Sequence, residues 1–230
     1  MKLLVDDARI EEIKKIYEFF AVDGVTTNPT IISRSGKSPY EALSEIRAFI
    51  GDEAELHVQV ISKDAENIVK EGKKIVSELG AKTYIKIPTV PEGLKAMRIL
   101  SSEGYLVTAT TIYTPMQAYL AAKAGADYAA PYVNRIDDLG SNGIRATRKM
   151  HDIFKNNGLK TEILAASFKT AKEVLDVAVV GSHAATIGST IMRMLISHTT
   201  TDTSIAGFVS DWQGAFGDVT LLGLIKAKER

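Results

Sequence analysis

The chain has 230 residues, long enough for one large domain or two small ones, and its 45% hydrophobic content supports a sizeable core. Lys+Arg and Asp+Glu both number 28, so the formal net charge is zero and there is no electrostatic footprint for nucleic acid or an anionic membrane. There is no cysteine, which excludes disulfides and thiolate metal sites and makes the reducing cytoplasm the expected setting. The opening MKLLVDDARI turns acidic after three apolar residues, too few for a signal peptide. No run approaches the roughly 18 apolar residues of a membrane span.

Strand-like and helix-like segments alternate along the chain. Leu3–Asp6 reads as a strand, followed by a helix from Asp7 to Phe20 with Ile10, Ile13, Ile16 and Phe19/Phe20 on one face. Gly24–Thr27 is a second strand that Asn28-Pro29 ends in a turn. Ser38-Pro39 caps a helix to about Ile50, with Glu41 in its first turn. Leu56–Val60 alternates as a third strand, and Asp64 caps a helix ending near Gly80. Thr83–Pro88 is the fourth strand and Pro91-Glu92 opens the next helix. Leu106–Thr110, Tyr128–Tyr132, Glu162–Ser167 and Ala184–Ile187 are the remaining strands. Between them lie a helix from Thr114-Pro115 to Lys123, a loop over Asn134–Gly143 with a helix to about Asn156, and a helix over Thr170–Val180. Helices near 188–196 and 204–213 are expected to close the barrel.

Eight strands each followed by a helix predict a single α/β domain, a (β/α)8 TIM barrel with an extra C-terminal helical segment. That segment, about 204–230, carries Phe208, Trp212, Phe216, Leu221, Leu222, Leu224 and Ile225. It is expected to pack on a neighbouring subunit, the alternative being its own barrel. Zero net charge also mildly suits an oligomer.

Lys86 is the anomaly of the fourth strand. Successive strand side chains alternate faces, so Ile85 and Ile87 pack on helices while Tyr84 and Lys86 point into the barrel. A buried ammonium is costly unless it is paired or neutral. A lysine that deprotonates readily is a nucleophile towards carbonyls, forming Schiff bases. An edge-strand lysine in water is the plainer alternative. The other strand ends, read inward, are Asp6, Thr26 with Asn28, Gln59, Thr110, Tyr132 and Ser167, a set hard to explain as core filling. Arg135 follows strand six and Ser167 ends strand seven, where barrels often bind phosphate; a salt bridge to Asp137 or Asp138 is the competing role for Arg135. Lys169 reads as a solvated loop lysine. The histidines His57, His151, His183 and His198 lack metal-ligand spacing, and no dinucleotide or P-loop motif occurs. Met97, Met150, Met192 and Met194 read as core.

These blocks resemble the small transaldolase family, which includes the fructose-6-phosphate aldolases. The resemblance rests on Gly24-Val25-Thr26-Thr27-Asn28-Pro29-Thr30, Ile85-Lys86-Ile87-Pro88, Ala130-Pro131-Tyr132-Val133-Asn134-Arg135-Ile136-Asp137, Leu164-Ala165-Ala166-Ser167-Phe168-Lys169 and Asp211-Trp212-Gln213-Gly214-Ala215-Phe216-Gly217, and covers essentially the whole chain. It implies that Lys86 forms the imine, that Asp6 supports proton transfer, that Asn28 orients a dihydroxyacetone unit with Thr26 beside it, and that Arg135 and Ser167 hold a phosphate. It also implies a sugar-phosphate substrate, no organic cofactor or metal, and a homo-oligomer, either a pentamer or a decamer.

Transaldolases of the family typically carry Glu at the position of Gln59 and Phe at that of Tyr132, whereas the aldolases carry Gln and Tyr, as here. The resemblance thus implies a class I aldolase cleaving fructose 6-phosphate, with Gln59, Thr110 and Tyr132 holding a proton-shuttling water. A transaldolase is the alternative, and a non-catalytic sugar-phosphate-binding barrel a further one. Three departures from the family pattern stand out: Asp7-Ala8, His57 and Thr186-Ile187-Gly188-Ser189-Thr190. His57, one pleat below Gln59, is expected to fill the barrel rather than tune the site.

Overall fold

The computed structural model describes residues 1–223; residues 224–230, with Leu224 and Ile225 of the apolar tail, lie outside the described part. The strands are β1 (Lys2–Asp6), β2 (Gly24–Thr26), β3 (Glu55–Gln59), β4 (Thr83–Pro88), β5 (Val107–Ile112), β6 (Tyr128–Pro131), β7 (Glu162–Ala165) and β8 (Ala184–Ile187). They pair in sequence order, all parallel, and β8 pairs back onto β1 to close the barrel. The helices of this unit are α1 (Ile10–Phe19), α2 (Pro29–Ser33), α3 (Pro39–Ile50), α4 (Ala65–Leu79), α5 (Pro91–Ser102), α6 (Pro115–Lys123), α7 (Val133–Asp138), α8 (Gly143–Asn156), α9 (Ala171–Val179) and α10 (Ser189–Met194).

Alternation along the strands sorts the interior into two clusters. Val5, Val25, Leu56, Val58, Ile85, Ile87, Val107 and Ile163 face outward and pack under the helices. Leu4, Tyr84, Tyr128, Ala130, Leu164 and Ala184 face the barrel axis. The helix starts carry the capping expected of their sequences. Ser38, Thr114 and Thr170 each form a reciprocal capping box, and Asp64 accepts from the Asn67 backbone at 3.0 Å. Such caps contribute about 1 kcal/mol each.

Several boundaries differ from expectation. Asn28-Pro29 does not merely turn: Asn28 caps α2, its Oδ1 accepting from the Ile31 amide at 3.0 Å. The expected loop at Asn134–Gly143 holds α7, six residues whose polar sequence masks a short helix. Strand β6 ends at Pro131, and Tyr132 keeps a single bridge to Ala166. Strand β7 ends at Ala165, and Ser167 follows in a left-handed conformation at φ 65°. Strand β5 is irregular between Ala109 and Ile112, with Thr111 at φ 56°, a strained angle for a β-branched residue.

The described residues from Ile196 onward form a second compact unit, starting earlier than the Ser204 boundary read from sequence. It contains helix α11 (Thr199–Phe216), which has no buried residue. Within this unit the Trp212 and Phe216 rings meet tilted, with centroids 4.7 Å apart, and Trp212 donates its Nε1–H to the Val219 carbonyl at 2.7 Å. Phe208, Phe216, Leu221 and Leu222 are exposed. Among the described residues no helix is long and apolar enough to cross a membrane.

Two helices approach β4 so closely that only glycine fits. A Cβ on Gly72 of α4 would lie 2.9 Å from Ile85 side-chain atoms, and one on Gly93 of α5 would lie 2.0 Å from the Pro88 carbonyl oxygen. Gly93→Ala is expected to destabilise the fold by about 2 kcal/mol or more through this overpacking, read as a lowered urea midpoint. An unchanged midpoint would show that α5 yields freely.

Candidate active site

Lys86 lies in the barrel interior at 3% exposure. Its neighbours across the sheet are Gln59 on β3 and Thr108 on β5. Its Nζ donates to the Thr27 carbonyl at 3.2 Å, which aims the amine towards the C-terminal mouth. Asp6 ends β1 at that mouth. The fully buried Thr26 donates to Asp6 Oδ1 at 2.7 Å and lies 2.5 Å from Thr186 Oγ1. Since the Thr26 proton is committed to Asp6, Thr186 donates to Thr26, completing a hydroxyl relay that ends on the carboxylate. Burial raises the Asp6 pKa, against the opposing pull of the Lys86 charge and the Thr26 hydrogen bond. A carboxyl so placed can both hold and release a proton. Thr26 is thereby spent on Asp6 rather than free to meet a ligand. The Asn28 Oδ1 is likewise engaged as a helix cap, so what it offers the mouth is its amide N–H₂.

Across the mouth, the Tyr132 hydroxyl lies 3.1 Å from Thr110 Oγ1, and both residues are buried. The exposed Arg135 stacks over the Tyr132 ring, its Cζ 4.8 Å from the centroid, and Tyr113 adjoins the same guanidinium. No carboxylate lies within 4.0 Å of Arg135 among the described residues; Asp137 instead accepts from the Gly143 amide at 2.8 Å. The competing salt-bridge role for Arg135 is thus absent, and its planar fork is available to an anion. Ser167 is not an inward strand residue: alternation along β7 turns Leu164 inward, and Ser167 comes after the strand ends. Its carbonyl accepts from the Asn134 amide at 3.0 Å, which ties it beside the helix bearing Arg135. Lys169 is exposed on the loop.

Beneath Lys86 lies a second polar layer, which the sequence reading did not assemble. His57 is fully buried and stacks on Tyr84 with centroids 4.4 Å apart. Its Nε2 meets Glu55 Oε2 at 3.3 Å and its Nδ1 meets Thr108 Oγ1 at 2.8 Å. A carboxylate only accepts, so Nε2 carries the proton and Nδ1 accepts from Thr108. Glu55 Oε1 receives Lys2 Nζ at 2.7 Å, and Lys2 also donates to the Tyr128 hydroxyl at 2.7 Å. Burial lowers the His57 pKa, so the ring is neutral at pH 7. Burial disfavours the Glu55 charge, yet the His57 hydrogen bond and Lys2 hold its pKa down at about 2. His57 fills the barrel, with a partner at each nitrogen.

Two of the departures from the family pattern meet in space. Ser189, after β8, donates to Asp7 Oδ2 at 2.9 Å, and Arg9 grips both Asp7 oxygens at 3.0 and 2.7 Å. Burial alone would raise Asp7, but Arg9 and Ser189 keep its pKa below the usual range. Beside this cluster, a pocket of ≈ 320 Å³ is lined by Asp6, Arg9, Ile31, Arg34 and Ser189 among others. Among the described residues no group of three or more His, Asp or Glu side chains is arranged to hold a metal ion.

Fold and site together describe a (β/α)8 barrel with a buried lysine under a polar, anion-ready mouth. The family described as "Transaldolase/Fructose-6-phosphate aldolase" matches residues 3–219. A Clostridium botulinum protein named "Probable transaldolase" is 41% identical over 218 residues, covering 95% of this chain and 99% of that protein. An Aquifex aeolicus protein of the same name is 40% identical over 213 residues, covering 93% and 97% respectively. One from Thermodesulfovibrio yellowstonii is 38% identical over 213 residues, covering 93% and 98%. The chain belongs to the transaldolase/fructose-6-phosphate aldolase family, an enzyme family.

The Glu55 network has a pH signature. A carboxyl whose folded pKa is depressed contributes stability above its unfolded pKa of about 4.5, and that contribution is lost as pH falls towards about 2. Glu55→Gln is expected to be less stable than the parent at pH 7 and to lose less stability between pH about 5 and about 2. Denaturation midpoints that fall in parallel for the two proteins over that window would sink this account.

Proposed function

We propose that the protein is a class I aldolase that cleaves fructose 6-phosphate into dihydroxyacetone and glyceraldehyde 3-phosphate through a Schiff base at Lys86. The observation that carries the reading is a lysine buried to 3% exposure whose amine points at a mouth edged by Asp6, Gln59, Thr110 and Tyr132. In the proposed reaction the neutral amine adds to the ketose C2 and water leaves, giving an iminium. The iminium draws in the electrons of the C3–C4 bond as the C4 hydroxyl loses its proton, and glyceraldehyde 3-phosphate departs. The enamine left on Lys86 takes a proton at C3, and water then releases dihydroxyacetone and restores the amine.

Asp6, held by Thr26 and Thr186, suits the proton acceptor at the C4 hydroxyl. A phenol is a proton donor rather than a base at neutral pH, so Tyr132 with Thr110 and Gln59 suits delivery to the enamine through a held water. The Asn28 amide N–H₂ is placed to hold a donor hydroxyl, while Arg135 with Ser167 suits the phosphate.

A second reading is favoured by the relatives' names. In a transaldolase the same enamine waits for an aldose phosphate acceptor such as erythrose 4-phosphate, as in the pentose phosphate pathway. Both readings fit a cytoplasmic setting for a cysteine-free chain. We also infer a homo-oligomer from the exposed apolar side chains of the C-terminal unit, and the family resemblance suggests that it is a pentamer or a decamer. Light scattering should give a multiple of the 25.0 kDa chain, and a monomer at micromolar concentration would overturn that inference.

Glyceraldehyde 3-phosphate release from fructose 6-phosphate, with and without erythrose 4-phosphate, separates the two readings. Steady release without acceptor is expected; release only with acceptor makes the protein a transaldolase. Lys86→Met should abolish either activity and the borohydride-trapped adduct, and retained cleavage would exclude the Schiff base. Tyr132→Phe should lose about tenfold more cleavage than exchange, a difference of roughly 1.4 kcal/mol between the two barriers. Equal losses would remove Tyr132 as proton donor.

A further inference from the structure

Between the starts of α6 and α8 lies a cavity that the reaction proposed above does not use. It is ≈ 560 Å³, within the range of small-molecule sites. Its walls come from three stretches of the barrel unit: Tyr113 to Pro115 at the start of α6, Gly140 to Asn142 between α7 and α8, and the first two turns of α8. Asn142, Arg145, Ala146 and Lys149 line it at spacings of three and four, so one face of α8 is turned to the cavity. Tyr113 also adjoins the Arg135 guanidinium, so the cavity is one side chain away from the phosphate anchor proposed above.

The charge of this lining is of one sign. Arg145 and Lys149 are its charged side chains, and no carboxylate lines it. Among the described residues no carboxylate lies within 4.0 Å of either cation. Their neighbour Arg148, which does not line the cavity, is by contrast paired with Asp152 at 3.1 Å. The acidic residues nearest along the chain, Asp137 and Asp138, are also absent from the wall, and Asp137 is engaged by the Gly143 amide at 2.8 Å. The cap residues of both helices, Thr114 and Asn142, line the cavity, so the positive ends of two helix dipoles add to the two side-chain charges. The Asn142 oxygen is spent on the Arg145 amide at 2.7 Å, which leaves its N–H₂ as what it can offer a ligand. The Ser141 hydroxyl is a further donor.

We propose that this cavity is a second anion site, which takes a phosphoryl group between Arg145 and Lys149 and is separate from the phosphate anchor at Arg135 and Ser167. The two cations are one helical turn apart, about 6 Å along the axis. An Arg fork alone uses both oxygens of a carboxylate. A phosphoryl group has a third oxygen for the Lys149 ammonium, with Asn142 and Ser141 at the same wall. The inference goes beyond the proposed function and does not depend on Lys86.

The test is calorimetric titration of the full-length protein with inorganic phosphate at low ionic strength, where a charged site is least screened. Arg135→Ala removes the first anchor, and saturable phosphate binding is expected to remain in that variant. Adding Arg145→Ala and Lys149→Ala to it should weaken the remaining binding about tenfold or more. Adding Arg148→Ala instead removes the same kind of charge from the same helix outside the cavity, and should leave the binding in place. All the substituted residues are exposed, and denaturation midpoints without phosphate verify that each variant is folded. Binding that vanishes with Arg135→Ala alone, or that survives loss of both Arg145 and Lys149, overturns the second site. A loss as large with Arg148→Ala overturns it too, since net charge rather than the cavity would then hold the anion. In the otherwise unchanged protein, Arg145→Ala with Lys149→Ala should keep the site at Arg135; if that variant binds no phosphate while Arg135→Ala does, the anchor at Arg135 falls and the cavity stands. No saturable phosphate binding in the wild type overturns both.

Discussion

An amine inside a closed sheet is the constraint on which the rest of this structure depends. The barrel has no open edge, so water reaches Lys86 only along the axis, and an ammonium left dry there would be costly. Its direct protein partner is one carbonyl, that of Thr27, at 3.2 Å. The strand beneath it is correspondingly fixed. Ile85 and Ile87 are fully buried on the outer face, and two helices press on β4 through Gly72 and Gly93. A side chain held this way keeps one direction, towards the mouth. Packing outside the sheet thus sets the aim of a group inside it.

The interior carries two polar layers that differ in how fully they are satisfied. The lower one closes on itself: Lys2, Glu55, His57 and Thr108 form a chain in which each charge has an opposite and His57 has a partner at each nitrogen. Such a network rigidifies a core and leaves little for a ligand. In the upper layer Asp6 is held from one side by Thr26, the Asn28 oxygen is the part engaged as a cap, Arg135 has no carboxylate within 4.0 Å among the described residues, and the Tyr132 hydroxyl meets Thr110. Polar groups at a cavity mouth with capacity to spare are what a polyhydroxy substrate requires. Thr111 and Ser167, the left-handed non-glycine residues among the described ones, also sit at this end, where backbone strain is held by the surrounding sheet.

Much of this was legible in the sequence, because strand alternation and helix capping are local. Two isoleucines flanking Lys86 suffice to turn it inward, and Ser38-Pro39 or Thr114-Pro115 suffice to start a helix. The lower layer was also within reach: Glu55 and His57 are two apart on one strand and must share a face. Other features had no local sign. Nothing in Ser167 or Thr111 announces a positive φ, since neither is glycine. Helix α7 is six residues with three charges and looks like a loop. The Ser189–Asp7 contact joins residues 182 apart in sequence and exists only because β8 closes on β1. Two departures that looked independent along the chain are one feature of the fold.

The same geometry explains why family membership stops short of the reaction class. The two proposed readings share the lysine, the carboxylate and the phosphate anchor, all of them carried on the barrel. What separates them in the proposed chemistry is the fate of one enamine carbon, whether a proton arrives before an aldehyde does. That is a question of proton supply within a few ångströms of Lys86, and it rests on hydroxyls and an amide rather than on the fold. Here the proposed phosphate anchor and the proposed proton donor are in contact, because Arg135 stacks on the Tyr132 ring at 4.8 Å. Under the aldolase reading, a phosphate on Arg135 therefore bears on the orientation of the phenol that must later protonate the enamine. On that same reading, departure of glyceraldehyde 3-phosphate would free that guanidinium and open the water path in one event, so that cleavage and protonation would be ordered by the product's own leaving.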